Sequence, residues 1–154
     1  MALRAALLCA LTALSSACAA DSYQRVPFPR QDVEVSSSSV SRIYVLRPGE
    51  AKGFHRYVLV EEDTHEIGRV ANDGYLCWER GPGRFLLTLT IEPVELADGK
   101  PQQLFVDVKC EAGHTYYYAV NVNASWGKGE VRPLERGEAR PLLEELSPTD
   151  PAED

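Results

Sequence analysis

Arg84-Phe85-Leu86-Leu87-Thr88-Leu89-Thr90-Ile91-Glu92 is the stretch that decides the fold. Phe85, Leu87, Leu89 and Ile91 recur at every second position. Arg84, Thr88, Thr90 and Glu92 fill alternate positions, with Leu86 as the exception. A period of two puts the apolar set on one face of an extended chain, because successive β-carbons point to opposite sides. Gly81-Pro82-Gly83 stands immediately before it and reads as a hairpin turn.

The same grammar continues outward. Downstream, Ala97-Asp98-Gly99-Lys100-Pro101 turns the chain. Leu104, Val106, Val108 and Cys110 then share a face, with Asp107 and Lys109 opposite. Glu111-Ala112-Gly113 turns again, and Tyr116, Tyr118, Val120 and Val122 line one face of His114 to Val122. Upstream, Ile43 to Leu46 is stopped by Pro48-Gly49. Tyr57 to Val60 is followed by Glu61-Glu62-Asp63, an acidic turn read as solvated charge. Glu66 to Val70 contains Gly68 as a bulge, Asn72-Asp73-Gly74 is a turn, and Tyr75 to Glu79 follows.

Seven short strands at this spacing predict an all-β domain, a small antiparallel β-sandwich. Val131 to Leu134 offers an eighth strand. Glu138 to Leu146 predicts a short C-terminal helix, with Pro141 tolerated only in its first turn. The chain divides into a signal peptide over 1–17, a tether over 18–41, the sandwich over 42–146 and a loose polar tail over 147–154.

At 154 residues, 44% hydrophobic and 25% charged, the composition is that of one ordinary globular domain. The formal net charge of -7, without a basic block, excludes nucleic acid as an expected partner, because phosphate binding needs clustered Lys and Arg.

The first residues form a separate unit. Met1 to Arg4 is a short start with one positive charge, Ala5 to Leu14 is apolar, and Ser15 to Ala20 are small. This is the layout of a secretory signal, too short to span a bilayer as a permanent helix. Leu14-Ser15-Ser16-Ala17-Cys18 resembles a bacterial lipobox, although Ser15 stands where an aliphatic residue is usual. Lipidation at Cys18 would tether the domain to a membrane, each buried CH2 contributing about 0.8 kcal/mol. Ala19 lacks the acidic character associated with inner-membrane retention, which points to the outer membrane. Ordinary cleavage after Ala19 or Ala20, releasing a soluble secreted protein, is the alternative.

Motifs for catalysis are sparse. His55, His65 and His114 have no metal-ligand spacing, and His65-Glu66-Ile67-Gly68-Arg69 places Arg where a zinc-protease helix needs its second His. No Gly-x-Ser-x-Gly, phosphate loop or dinucleotide fingerprint occurs. The expectation is a protein without catalysis, metal or cofactor; dispersed carboxylates leave a hydrolase as a distant reading. One loop invites binding: Asn123-Ala124-Ser125-Trp126-Gly127-Lys128 sets an indole among small residues. Trp126, with Asn123 and Lys128 as donors, would stack on a sugar ring or anchor a protein partner; alternatively Trp126 folds back over the end of the sandwich.

These strands resemble a bacterial lipoprotein-like family, the domain of unknown function 2846. The resemblance rests on Ile43-Tyr44-Val45-Leu46-Arg47-Pro48, Ile67-Gly68, Gly74-Tyr75, Pro82-Gly83 leading into Phe85 to Ile91, and Gly113-His114-Thr115-Tyr116-Tyr117. It covers about Arg42 to Leu146. It implies an envelope lipoprotein carrying a small β-sandwich and brings no catalytic residues.

With Cys9 removed with the signal and Cys18 used as anchor or trimmed, Cys77 and Cys110 remain, an even number in an exported chain. Cys110 has the parity of Leu104, Val106 and Val108, and Cys77 that of Tyr75. A Cys77–Cys110 disulfide is the expectation, contributing roughly 3.8 kcal/mol by chain entropy. Two buried free thiols acting as small hydrophobes are the alternative.

Overall fold

The computed structural model describes residues 38–49, 56–92, 101–123 and 128–149. Along the chain run β1 (Ser41–Arg47), β2 (Tyr57–Glu62), β3 (His65–Val70), β4 (Gly74–Arg80), β5 (Gly83–Glu92), β6 (Gln103–Cys110), β7 (Thr115–Asn123), β8 (Lys128–Leu134), α1 (Arg136–Glu145) and β9 (Ser147–Pro148). They form a five-stranded sheet in the order β8-β7-β1-β4-β9 and a four-stranded sheet in the order β3-β2-β5-β6. The β-sandwich is therefore observed. Its pairing is mostly antiparallel, but β1 runs parallel to β7 and β4 parallel to β9.

The strand that announced the fold behaves as its period dictates. Phe85, Leu87, Leu89 and Ile91 are buried between the sheets, and Leu86 points outward to solvent. They meet Val108 and Cys110 from β6, Val58 and Val60 from β2, and Tyr118, Val120 and Val122 from β7. Ile43, Val45, Leu76 and Trp78 complete this layer from β1 and β4.

β1 and β4 differ from the other strands, because every residue in both is buried. The face of the five-stranded sheet away from its partner sheet is covered as well. Tyr44, Leu46, Tyr75, Cys77 and Ala119 form a second cluster there with Leu134 and with Ala139 of α1. Leu142, Leu143 and Leu146 lie partly buried against it. The architecture thus has three layers over part of its area: sheet, sheet and a C-terminal helical cover.

Turns follow local chemistry, with one shift of position. In Asn72-Asp73-Gly74 the residue with positive φ is Asp73, at 58°, and Asp63 takes 53° in the turn between β2 and β3. Asp tolerates this region because its short side chain bonds locally. The Asp63 carboxylate accepts the Leu86 N–H at 2.9 Å. The expected bulge lies beside Gly68: Val60 pairs with Gly68 and Glu61 with Glu66, leaving Ile67 as the extra residue.

One side of the sandwich is closed by an amide. The Gly129 N–H donates to Gln102 Oε1 at 2.7 Å, and Gln102 Nε2 donates back to the Gly129 carbonyl at 3.4 Å. The Gln102 side chain so imitates a strand neighbour between the two sheets. A β-carbon on Gly129 would stand 2.6 Å from Ile91 Cδ1 and 3.1 Å from the Asn121 carbonyl, so any larger residue here would have to displace the buried Ile91 side chain.

Three expectations are corrected at the C-terminus and in the acidic turn. Pro141 lies in the second turn of α1, not the first. Its missing N–H deprives the Gly137 carbonyl of its usual donor, a loss the exposed position tolerates. Ser147 and Pro148 are not a loose tail: they pair with Gly74 and Tyr75 of β4. Glu62 is not solvated charge, for it is fully buried. It continues the inward set Val58 and Val60, so strand parity carries it between the sheets.

Candidate functional site

Two polar clusters are buried on opposite faces of the five-stranded sheet. The first lies between the sheets. On β4, Leu76, Trp78 and Arg80 share the inward face, and Arg80 arrives beside Glu62 of β2. Arg80 Nε stands 2.8 Å from Glu62 Oε1, with the two side chains 4% and 0% exposed. The Trp78 indole N–H donates to Glu62 Oε2 at 2.9 Å. The Arg80 guanidinium lies 4.4 Å from the Phe85 ring centroid, and its Nη1 is 3.8 Å from Cys110 Sγ. Cys110 Sγ in turn approaches the Gly83 carbonyl at 3.4 Å.

Removing two charges from water costs several kcal/mol per ion, so such a pair persists only with close geometry and extra hydrogen bonds. The ions are close and the Trp78 indole supplies a hydrogen bond to the carboxylate, while Arg80 Nε and Glu62 Oε1 meet as an ion pair without the alignment of a hydrogen bond. The carboxylate is divided between a guanidinium and an indole, and the guanidinium between a carboxylate, a ring and a thiol. The arrangement ties β2 to β4 across the core.

The second cluster lies on the outer face of the same sheet. Arg42 and Glu79, paired across β1 and β4, are 2.8 Å apart at Nη2 and Oε1, and both are buried. Arg42 Nε donates to the same oxygen at 3.2 Å. Next along the strands Tyr44 faces Cys77, and the Tyr44 ring stacks on Tyr117 with centroids 5.2 Å apart. Burial pushes the Cys77 thiol up to about 12, despite opposing effects of the Tyr44 hydroxyl and the Arg42 charge. Burial also raises the Tyr44 phenol, with Cys77 adding to it. A thiol held protonated at neutral pH is a poor nucleophile and a poor metal ligand. The cluster is built to hold strands together.

The structure contradicts the expected disulfide: Cys77 and Cys110 are both free and buried. The reason is geometric. Leu76 and Trp78 point between the sheets, so Cys77 points to the other face, among Tyr44, Leu46, Tyr75 and Ala119. Cys110 lies in the inter-sheet layer. The sheet itself separates the two sulfurs. Parity was read correctly for each strand, but on β4 both parities are buried.

Of the expected binding residues, Asn123 ends β7 and Lys128 begins β8, and the ladder pairs them directly. Trp126 lies in the connection between them, outside the described residues, as does Cys18. His65 and His114 are exposed, the latter with Nδ1 3.1 Å from the Ala112 carbonyl, and His55 lies outside the described residues. Among the described residues no three or more His, Cys, Asp or Glu side chains converge as metal ligands, and no helix is long and apolar enough to cross a membrane.

The buried ion pairs were missed by sequence reading, although a signal existed. Glu62 extends Val58–Val60 and Arg80 extends Leu76–Trp78, so opposite charges sit at the ends of two inward-facing sets. Comparison of the chain with protein-family models, curated proteins and solved structures finds no match.

Proposed function

We propose that this chain is an exported protein of the bacterial cell envelope, anchored through acyl chains on Cys18 and presenting its β-sandwich as a non-catalytic binding or structural domain. The observation that carries the reading is the N-terminal order: Ala5 to Leu14 apolar, then Ser15-Ser16-Ala17 leading to Cys18. The buried charges support a non-catalytic role, since Arg42, Glu79, Glu62 and Arg80 are engaged in pairs that hold strands. The outer membrane is the proposed location, because Ala19 follows the anchor cysteine.

Metabolic labelling with palmitate in a bacterial host tests the proposal. The wild-type chain should incorporate label and partition with membranes, and Cys18→Ala should do neither. Equal labelling of both, or release of the wild type as soluble protein, would overturn it.

A further inference from the structure

The two layers flanking the five-stranded sheet are held very differently. The inter-sheet layer is apolar, continuous across seven strands and pinned by the Glu62–Arg80 pair. The outer layer is closed by one contiguous segment, α1 with β9. Its helix places a single fully buried side chain, Ala139, on the sheet. Leu142, Leu143 and Leu146 are only partly buried.

The segment is weakly self-supporting. Ten residues are too few for a helix to persist alone in water, and Pro141 removes one of its hydrogen bonds. β9 is joined to β4 by a ladder of only two residue pairs, Gly74 with Ser147 and Tyr75 with Pro148. Its bonds include Ser147 N–H to the Asp73 carbonyl at 2.9 Å and Thr149 N–H, just past β9, to the Tyr75 carbonyl at 2.8 Å. The fit at this edge is close, since a β-carbon on Gly74 would stand 2.8 Å from Thr149 Oγ1. Regions with few buried apolar contacts open before the global transition.

We infer that α1 and β9 form a detachable clasp, opening as a unit while the sandwich stays closed. Opening bares Tyr44, Leu46, Tyr75, Cys77 and Tyr117 and frees the edge of β4 at Gly74–Tyr75.

The two buried thiols report on it separately, Cys77 beneath the clasp and Cys110 between the sheets. The test is native-state alkylation of the full chain with iodoacetamide, read by peptide-level mass spectrometry. Cys77 should react at least about tenfold faster than Cys110. Leu142→Ala, within the clasp, should speed Cys77 by about tenfold. Val60→Ala, in the inter-sheet layer, should speed Cys110 and leave Cys77 unchanged, because that layer stays intact when the clasp opens. Equal wild-type rates, a faster Cys110, no reaction at Cys77 short of full unfolding, no effect of Leu142→Ala, or equal acceleration of both thiols by Val60→Ala would overturn the inference.

Discussion

The two faces of the five-stranded sheet are covered by different materials. Against one lies a second sheet, whose aliphatic side chains interleave with Ile43, Val45, Leu76 and Trp78. Against the other lies a short helix over Tyr44, Leu46, Tyr75 and Cys77. Each face also buries one Arg–Glu pair joining neighbouring or facing strands. The contrast teaches that burial alone does not identify a core. A strand buried on both faces has no outward parity, and its charged residues enter the interior on whichever side their position dictates.

The largest expected effect breaks the inner layer. Glu62→Gln leaves the Arg80 charge buried without its counter-ion, and should cost about 3–5 kcal/mol of unfolding free energy by chemical denaturation. Replacing both Glu62 and Arg80 with leucine should recover only part of that loss, because an apolar pair removes the desolvation cost of the ions but leaves the Trp78 indole N–H without its acceptor. If the single variant were near neutral, the pair would not be the brace described.

A smaller effect is expected in the outer layer. Leu142→Ala removes a partly buried side chain and should cost roughly 1–2 kcal/mol in the same assay. A loss as large as that of Glu62→Gln would show that the helical cover contributes as much as the inter-sheet layer, erasing the distinction between them.

Alkaline pH sharpens the comparison further. The Cys77 thiol is raised in the folded state from an ordinary value of 9.0 to about 12. A raised group stabilises the fold fully below its unfolded value, and that contribution is lost as pH rises toward the folded one. Between pH 8.5 and 10 the wild type should lose about 1 kcal/mol that Cys77→Ala does not lose. Urea midpoints across this window check it; parallel curves for the two proteins would place Cys77 in a wetter setting than the structure does.

How much was legible follows from the same geometry. β5, β6 and β7 announced themselves because alternation survives where at least part of one face meets water. Leu86 and Phe105, at 41% and 58% exposed, are the apolar residues that such a face still carries. β1 and β4 were placed as strands by the turn residues that bound them, Pro48-Gly49 and Asn72-Asp73-Gly74, but with both faces buried their facing was ambiguous, and this misplaced Cys77. β9 was invisible, since Ser147-Pro148 has neither periodicity nor strand preference and pairs only because α1 delivers it to the edge of β4. Glu62 was misread because charge was given priority over parity. Of the candidate binding loop, the sequence showed its place after β7 but began the next strand at Val131, whereas β8 begins at Lys128 and pairs it with Asn123.

The central claim is that the five-stranded sheet stands between Cys77 and Cys110 and gives each its own layer. Alkylation of the denatured, unreduced full chain, followed by peptide-level mass spectrometry, tests it most directly. Both cysteines should carry the alkyl group without prior reduction, in material recovered from an oxidising compartment as well as from a reducing one. Peptides containing Cys77 and Cys110 joined by a disulfide bond would contradict the account.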